Sequence, residues 1–140
     1  MKVSANGRTL ITGFEGDRLS AYKDGGGVWT VGRGHTGPDV HPGMEITKEE
    51  SLRLFDLDCA KHDISPFLTG ATNQNQFDAM TSLAFNIGLE RFRNSTVLKR
   101  HNLGNAMGAA NAFLLWKYDN GKFVQGLLNR REAERKLYLS

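Results

Sequence analysis

The sequence predicts an α+β fold, mostly helical, with one short β-sheet near the N-terminus. Three observations predict it. Residues 20–37 concentrate glycines with β-branched and aromatic residues, the pattern of short strands joined by tight turns. The stretch Asn73–Ile87 repeats Phe77, Met80, Ala84 and Ile87 at spacings of three and four, the signature of a helix with one apolar face. Thr47-Lys48-Glu49-Glu50 places an acid three residues after a hydroxyl, the capping box that opens a helix.

Taken in order, residues 6–16 place Leu10, Ile11 and Phe14 on one side of a short helix that stops near Gly16, with Glu15 in its last turn. Ala21–Lys23 and Val28–Val31 read as strands around the turn Asp24-Gly25-Gly26-Gly27. Gly32, Gly34, Gly37, Pro38, Pro42 and Gly43 then punctuate an irregular loop. The helix opened by Thr47 is expected to run to about Ile64, ahead of Pro66, with Leu52, Phe55 and Cys59 on its inner face. The central helix over 73–87 ends at Gly88. Asn94 or Ser95 caps a further short helix, and helices over 105–117 and 123–139 complete the chain. With 140 residues, the length suits one domain of two lobes. The small β-containing lobe is expected over about 13–63, and the helical lobe over about 64–140 plus the N-terminal helix.

Composition removes several classes of function. Hydrophobic residues make up 39% and charged residues 24%, as in a globular chain rather than a disordered one. No apolar run approaches the roughly 18 residues of a membrane helix, and the polar start lacks a signal-peptide core, so stable membrane insertion is not expected. One cysteine, Cys59, allows no internal disulfide, and the four histidines lack metal-ligand spacing. No metal and no cofactor are therefore expected. Charge is uneven: 8 Lys/Arg stand against 11 Asp/Glu through Gly88, and 10 against 4 from Leu89 onward. A basic second half suits an anionic polymer, either nucleic acid or cell wall, and equally a solvated basic face.

Candidate chemistry gathers in the first 36 residues. Glu15 ends an apolar-faced helix, Asp24 starts a glycine turn nine positions later, and Thr30 follows six beyond it. Glycoside hydrolysis needs one acid for the leaving oxygen and a second group for the anomeric carbon. Two carboxylates in different surroundings can divide those roles. Taken alone the pattern is weak, because a surface Glu, a turn-favoured Asp and a strand Thr would look the same. Other motifs fall away. Gly32-Arg33-Gly34-His35-Thr36-Gly37 reads as G-x-G-x-x-G with Asp56 and Asp58 about 20 residues on, but prolines follow where a helix would have to open. Asn94-Ser95-Thr96 is a sequon without a secretory context, and no G-x-S-x-G elbow exists.

The residues Phe14-Glu15-Gly16, Arg18-Leu19, Ala21-Tyr22, Asp24, Gly27, Trp29-Thr30-Val31-Gly32 and Gly34-His35-Thr36 closely resemble the phage lysozyme (endolysin, muramidase) family, glycoside hydrolase family 24. The likeness continues through Ile46–Glu50, Leu54-Phe55, Asp58, Gln76–Ala79, Phe85–Gly88, Phe92, Ser95-Thr96 and Gly126–Arg131 with Glu134-Arg135. The resemblance implies a lysozyme-like fold and hydrolysis of the β-1,4 bond between N-acetylmuramic acid and N-acetylglucosamine by inversion. It implies Glu15 as general acid, with Asp24 and Thr30 holding the attacking water. It implies His35 and Asp58 as a structural ion pair, Asn86 as a polar residue lining the saccharide cleft, and Arg130 as a basic residue near the catalytic Glu. The partner becomes a peptidoglycan glycan strand rather than nucleic acid, and the enzyme a monomer. It would be made in the host cytoplasm and act on the wall or periplasm once the membrane is permeabilised. Arg33 departs from the family, whose members commonly carry Tyr or another large uncharged residue there; its side chain is expected to face solvent. Trp29 and Trp116 are expected in core packing, and Arg131 and Arg135 on a solvated basic face. A non-catalytic wall-binding module and a lytic transglycosylase are the competing readings. The retained Glu15, Asp24 and Thr30 speak against the binding module, and Asp24 and Thr30 favour hydrolysis over the transglycosylase.

Overall fold

A computed structural model describes residues 1–140. The chain forms two compact units, Ile11–Lys61 and a second made of Met1–Leu10 with His62–Ser140. Helix α1 (Ala5–Glu15) begins the helical unit and ends in the other. Ser4 starts it, giving its backbone N–H to Asp78 Oδ1 at 2.9 Å and its hydroxyl to Asp78 Oδ2. Of the three apolar residues expected to face inward, Ile11 is fully buried but Phe14 is exposed.

The Ile11–Lys61 unit holds an antiparallel sheet in the order β1 (Arg18–Lys23), β2 (Trp29–Gly32), β3 (His35–Thr36). Strand β1 starts three residues earlier than the sequence suggests, and β3 falls inside the segment read as irregular. Tyr22 pairs with Thr30, Thr30 with Thr36, and Val31 with His35. Residues opposite one another in a ladder share a face, so Tyr22, Thr30 and Thr36 form one row. Val31, Val40, Ile46 and Leu54 form the core, with Leu19, Ala21, Trp29 and Met44 packed against it. Helix α2 (Lys48–Lys61) begins at the expected capping box, where Glu50 N–H donates to Thr47 Oγ1 at 3.1 Å. It ends at Lys61, three residues short of the expected stop. Its buried face is Ser51, Leu54, Phe55 and Asp58, not Leu52, Phe55 and Cys59. Both sets have helical spacing. Leu54 packs with Val31, and that tertiary contact turns Leu52 outward.

The helical unit is built on α3 (Gln74–Ile87), capped by Asn73 with Gln76 in a reciprocal box and stopped at Gly88. After it come α4 (Leu89–Arg93), α5 (Thr96–Asn102) with Ser95 as cap, α6 (Ala106–Ala112) and α7 (Gln125–Leu139). Phe77, Met80, Leu83, Phe92, Val97, Phe113 and Tyr138 fill the core, and Trp116 packs at its edge. The expected helix over 105–117 stops at Ala112, and a hairpin of β4 (Tyr118–Asp119) and β5 (Lys122–Phe123) precedes α7. Asn120 and Gly121 turn it with φ of 50° and 75°, a tight turn that Asn-Gly favours. No helix is long and apolar enough to cross a membrane.

Candidate active site

Glu15, Asp24, Thr30, His35 and Asp58 all lie in the Ile11–Lys61 unit. Glu15 is the last residue of α1, half-buried, and the chain leaves the helix through Gly16 at φ 76°. Its carboxyl group rests on the backbone of Gly34. A Cβ added to Gly34 would sit 2.9 Å from Glu15 Cδ, and Gly34 itself has φ 80°. Only glycine meets both demands, so Gly34 serves the carboxylate, while Gly32, at φ 63°, lies against Ser51.

Asp24 is exposed and is fixed by its own turn. Its Oδ1 accepts the backbone N–H groups of Gly26 and Val28, each at 2.9 Å, and its own N–H donates to Val28 O at 2.9 Å. Oδ2 is the oxygen available to a water. Thr30 is buried in β2 and donates its hydroxyl to Val28 O at 3.0 Å, so the Thr30 oxygen can accept. Tyr22, directly across from Thr30, ties the group together electrically. Burial pushes its hydroxyl pKa above 10, Arg18 opposes this, and the negative charges of Glu15 and Asp24 raise it further. The Arg18 guanidinium lies 4.3 Å above the Tyr22 ring.

Behind this group His35 Nδ1 lies 2.8 Å from Asp58 Oδ2, and Nε2 lies 2.9 Å from Asp39 Oδ2. Burial alone would lower the His35 pKa; the bonds to Asp39 and Asp58, and the charges of both, outweigh it and hold the pKa above 6.5. Asp39 is held below the usual carboxylate range, chiefly by its bond to His35. The family resemblance implies only Asp58 as its partner. Asp39, four residues past His35 in a Gly/Pro loop, offered a spacing but no helix to give it meaning.

Arg33, expected to face solvent, instead folds onto the protein. Its guanidinium lies over the Phe55 ring at 5.2 Å with Nε 3.7 Å from Asp17 Oδ2, while Ser51 donates to Asp17 Oδ1 at 2.5 Å.

Asn86 and Arg130 lie in the helical unit. Asn86 is exposed on α3, and its Oδ1 accepts from Arg131 Nη1 at 2.8 Å. Arg130 is buried, with Nε 3.3 Å from Glu134 Oε2 and Nη2 donating to Ser82 O at 3.1 Å. Arg131, expected on a solvated face, is fully buried; its Nε lies 2.6 Å from Glu134 Oε1. The physical reason is Glu134, itself fully buried, which requires cations and the Ser82 hydroxyl around it. Arg135, expected on the same face, donates from Nε and Nη2 to Asn111 Oδ1.

A carboxylate at a helix end, backed by a glycine, and a clamped second carboxylate in the same unit supply the two acids that glycoside hydrolysis uses. The phage lysozyme family model matches residues 12–134. The chain is 48% identical to the endolysin of Salmonella phage P22, over 100% of this chain and 99% of that one. Among solved structures, the endolysin of Escherichia coli O157:H7 phage FAHEc1 superposes with a TM-score of 0.90 at 38% identity, covering 100% of this chain and 94% of that one. The muramidase domain of SpmX from Asticaccaulis excentricus gives 0.90 at 36% identity, covering 99% and 98%. The chain belongs to the phage lysozyme family and has its mostly helical α+β fold.

Proposed function

We propose that this chain is an endolysin that cleaves the β-1,4 bond between N-acetylmuramic acid and N-acetylglucosamine in peptidoglycan by inversion, leading to bacterial lysis. Glu15 protonates the glycosidic oxygen. Asp24 and Thr30 hold the water that attacks the anomeric carbon from the other side, with no cofactor. Asn86, which is exposed, contacts the glycan strand, whereas buried Arg130 is bound to Glu134 and Ser82; residues 1–140 act as one monomeric catalytic domain. The enzyme is made in the host cytoplasm and reaches the wall after the membrane is permeabilised. The observation that carries the reading is the seat of Glu15 on Gly34, which fixes one carboxyl group in a unit whose other candidate carboxylate is held by two N–H donors. A general acid kept in place by packing and a carboxylate oriented to accept from water are the two parts that inversion asks for.

The test is lysis of purified wall with analysis of its products. Glu15→Gln is expected to lower the rate by about 10²–10⁴-fold with the fold intact. Gly34→Ala keeps the carboxylate but displaces it, and is expected to lower the rate by at least about tenfold. Products one water heavier than anhydro sugars, formed first as the inverted anomer, support hydrolysis by inversion; anhydro products identify a transglycosylase. Wild-type protein no more active than Glu15→Gln identifies a binding module.

A further inference from the structure

Glu15 sits among glycines. Gly16 follows it, and Gly32 and Gly34 bracket the turn on which its carboxyl group rests, with φ of 76°, 63° and 80°. Glycine restrains its own backbone less than any other residue. The contact between Glu15 and Gly34 therefore draws its support from the side chains set between these glycines. Those are Asp17 on one side and Arg33 on the other.

The sheet brings the two together. Arg18 is the Cα partner of Gly32 in the antiparallel ladder of β1 and β2. One step beyond that pair, Asp17 stands opposite Arg33, and opposite charges so placed attract. Arg33 Nε lies 3.7 Å from Asp17 Oδ2. That nitrogen is shielded from water and makes no hydrogen bond, so the Asp17 charge is what compensates it. Asp17 Oδ1 in turn accepts from the hydroxyl of Ser51 at 2.5 Å, and Ser51 is fully buried in α2. The Arg33 guanidinium covers Phe55 of the same helix. The pair thus joins three segments: the one leaving Glu15, the turn carrying Gly34, and α2. His35, on the other side of Gly34, is tied to Asp58 and Asp39. Neither of those lies on the segment that carries Glu15.

We propose that Arg33 and Asp17 are positioning residues that hold the Glu15 carboxyl group at its seat on Gly34. The inference rests on Glu15 being the general acid. Asp17 is two residues from Glu15, and Arg33 is next to Gly34. A change in the separation of the pair is therefore passed straight to the contact between acid and seat. Proton donation to a leaving oxygen depends steeply on that placement. The Arg33 and Asp17 side chains are 23% and 30% exposed, so their attraction is modest. Its effect falls on rate rather than on stability.

The experiment measures kcat and KM on purified peptidoglycan for Asp17→Asn, for Arg33→Met, which keeps an apolar stem over Phe55, for the double variant and for Arg33→Lys. Crystal structures of resting wild type and Asp17→Asn accompany the kinetics. Each uncharged single variant is expected to lower kcat about tenfold with KM unchanged. The double variant should be no slower than either single, because the two residues act as one unit. Arg33→Lys keeps a cation for Asp17 and should recover most of the rate. In Asp17→Asn the Glu15 carboxyl group should lie about 1 Å from its wild-type place. Asp58→Asn is the reference for a loss of stability without a loss of rate. Wild-type kcat in both singles, losses that multiply in the double variant, a rise in KM alone, or a Glu15 carboxyl group that has not moved overturns the proposal. Full activity in Glu15→Gln refutes the acid assignment instead, and the crystal structures still decide whether the pair holds the seat.

Discussion

His35 in the β-containing unit and His101 in the helical unit are almost equally hidden from water, at 5% and 3% exposure, yet their neighbours differ in charge. Both His35 nitrogens face carboxylates, which only accept, so both nitrogens must donate and the ring is held as a cation. His101 faces only hydroxyls: Nδ1 lies 2.6 Å from Tyr138 Oη and Nε2 2.7 Å from Thr72 Oγ1. Thr72 gives its hydroxyl to Gly70 O at 3.0 Å. Its oxygen therefore accepts from His101 Nε2–H, and Tyr138 donates to Nδ1. Every group is satisfied with a neutral ring, and burial lowers the His101 pKa below 6.5. Burial likewise pushes the Tyr138 hydroxyl up to about 12. Equal burial thus yields opposite charge states, because desolvation penalises the ion in both places and only one site supplies counter-charge.

The largest expected effect comes from removing that counter-charge. Asp58→Asn breaks a buried pair, and denaturant unfolding at pH 6 should show a loss of about 3 kcal/mol. The folded fraction should keep its lysis activity; well-folded protein without activity would show that the pair acts in the chemistry. Next comes the hydroxyl site. Tyr138→Phe leaves His101 Nδ1 without its donor inside the core, and thermal unfolding should report a loss of about 1–2 kcal/mol.

The pH dependence sharpens the contrast further. The His35 pKa is raised, so its stabilisation is complete below 6.5 and drains away as pH rises through its folded-state value. The His101 pKa is lowered, so its contribution is complete above 6.5 and drains away as pH falls from 6.5 through its folded-state value. NMR titration should find the two rings on opposite sides of 6.5; both on one side would end the comparison. The smallest effect is expected from Asp39→Asn. Asp39 is exposed, and a surface pair is worth about 1 kcal/mol or less. The His35 titration should nonetheless move down toward 6.5.

Much of this was legible in the residues. The capping box at Thr47, the stop at Gly88 and the strands around Asp24 follow from local chemistry, because a cap, a turn and a strand alternation each need only a few neighbouring residues. Glu15, Asp24 and Thr30 were singled out by the family resemblance, because a helix-end Glu, a turn Asp and a strand Thr look the same locally in any chain. The third strand was hidden because two residues, His35 and Thr36, carry no periodicity. The hairpin before α7 was hidden although Asn120-Gly121 was in plain view, since its strands are two residues each.

Sequence by itself determined the α+β class, the order of the long helices and the family, since those depend on periodicity, caps and motif spacing along the chain. Tertiary structure alone decided which face of α2 is buried, that Arg131 lies inside around Glu134, that Arg33 folds over Phe55, and that Asp39 joins Asp58 on His35. Each of these turns on burial and on partners distant along the chain. The free energy of a charged or apolar side chain is set by what surrounds it in space, and sequence spacing does not contain that.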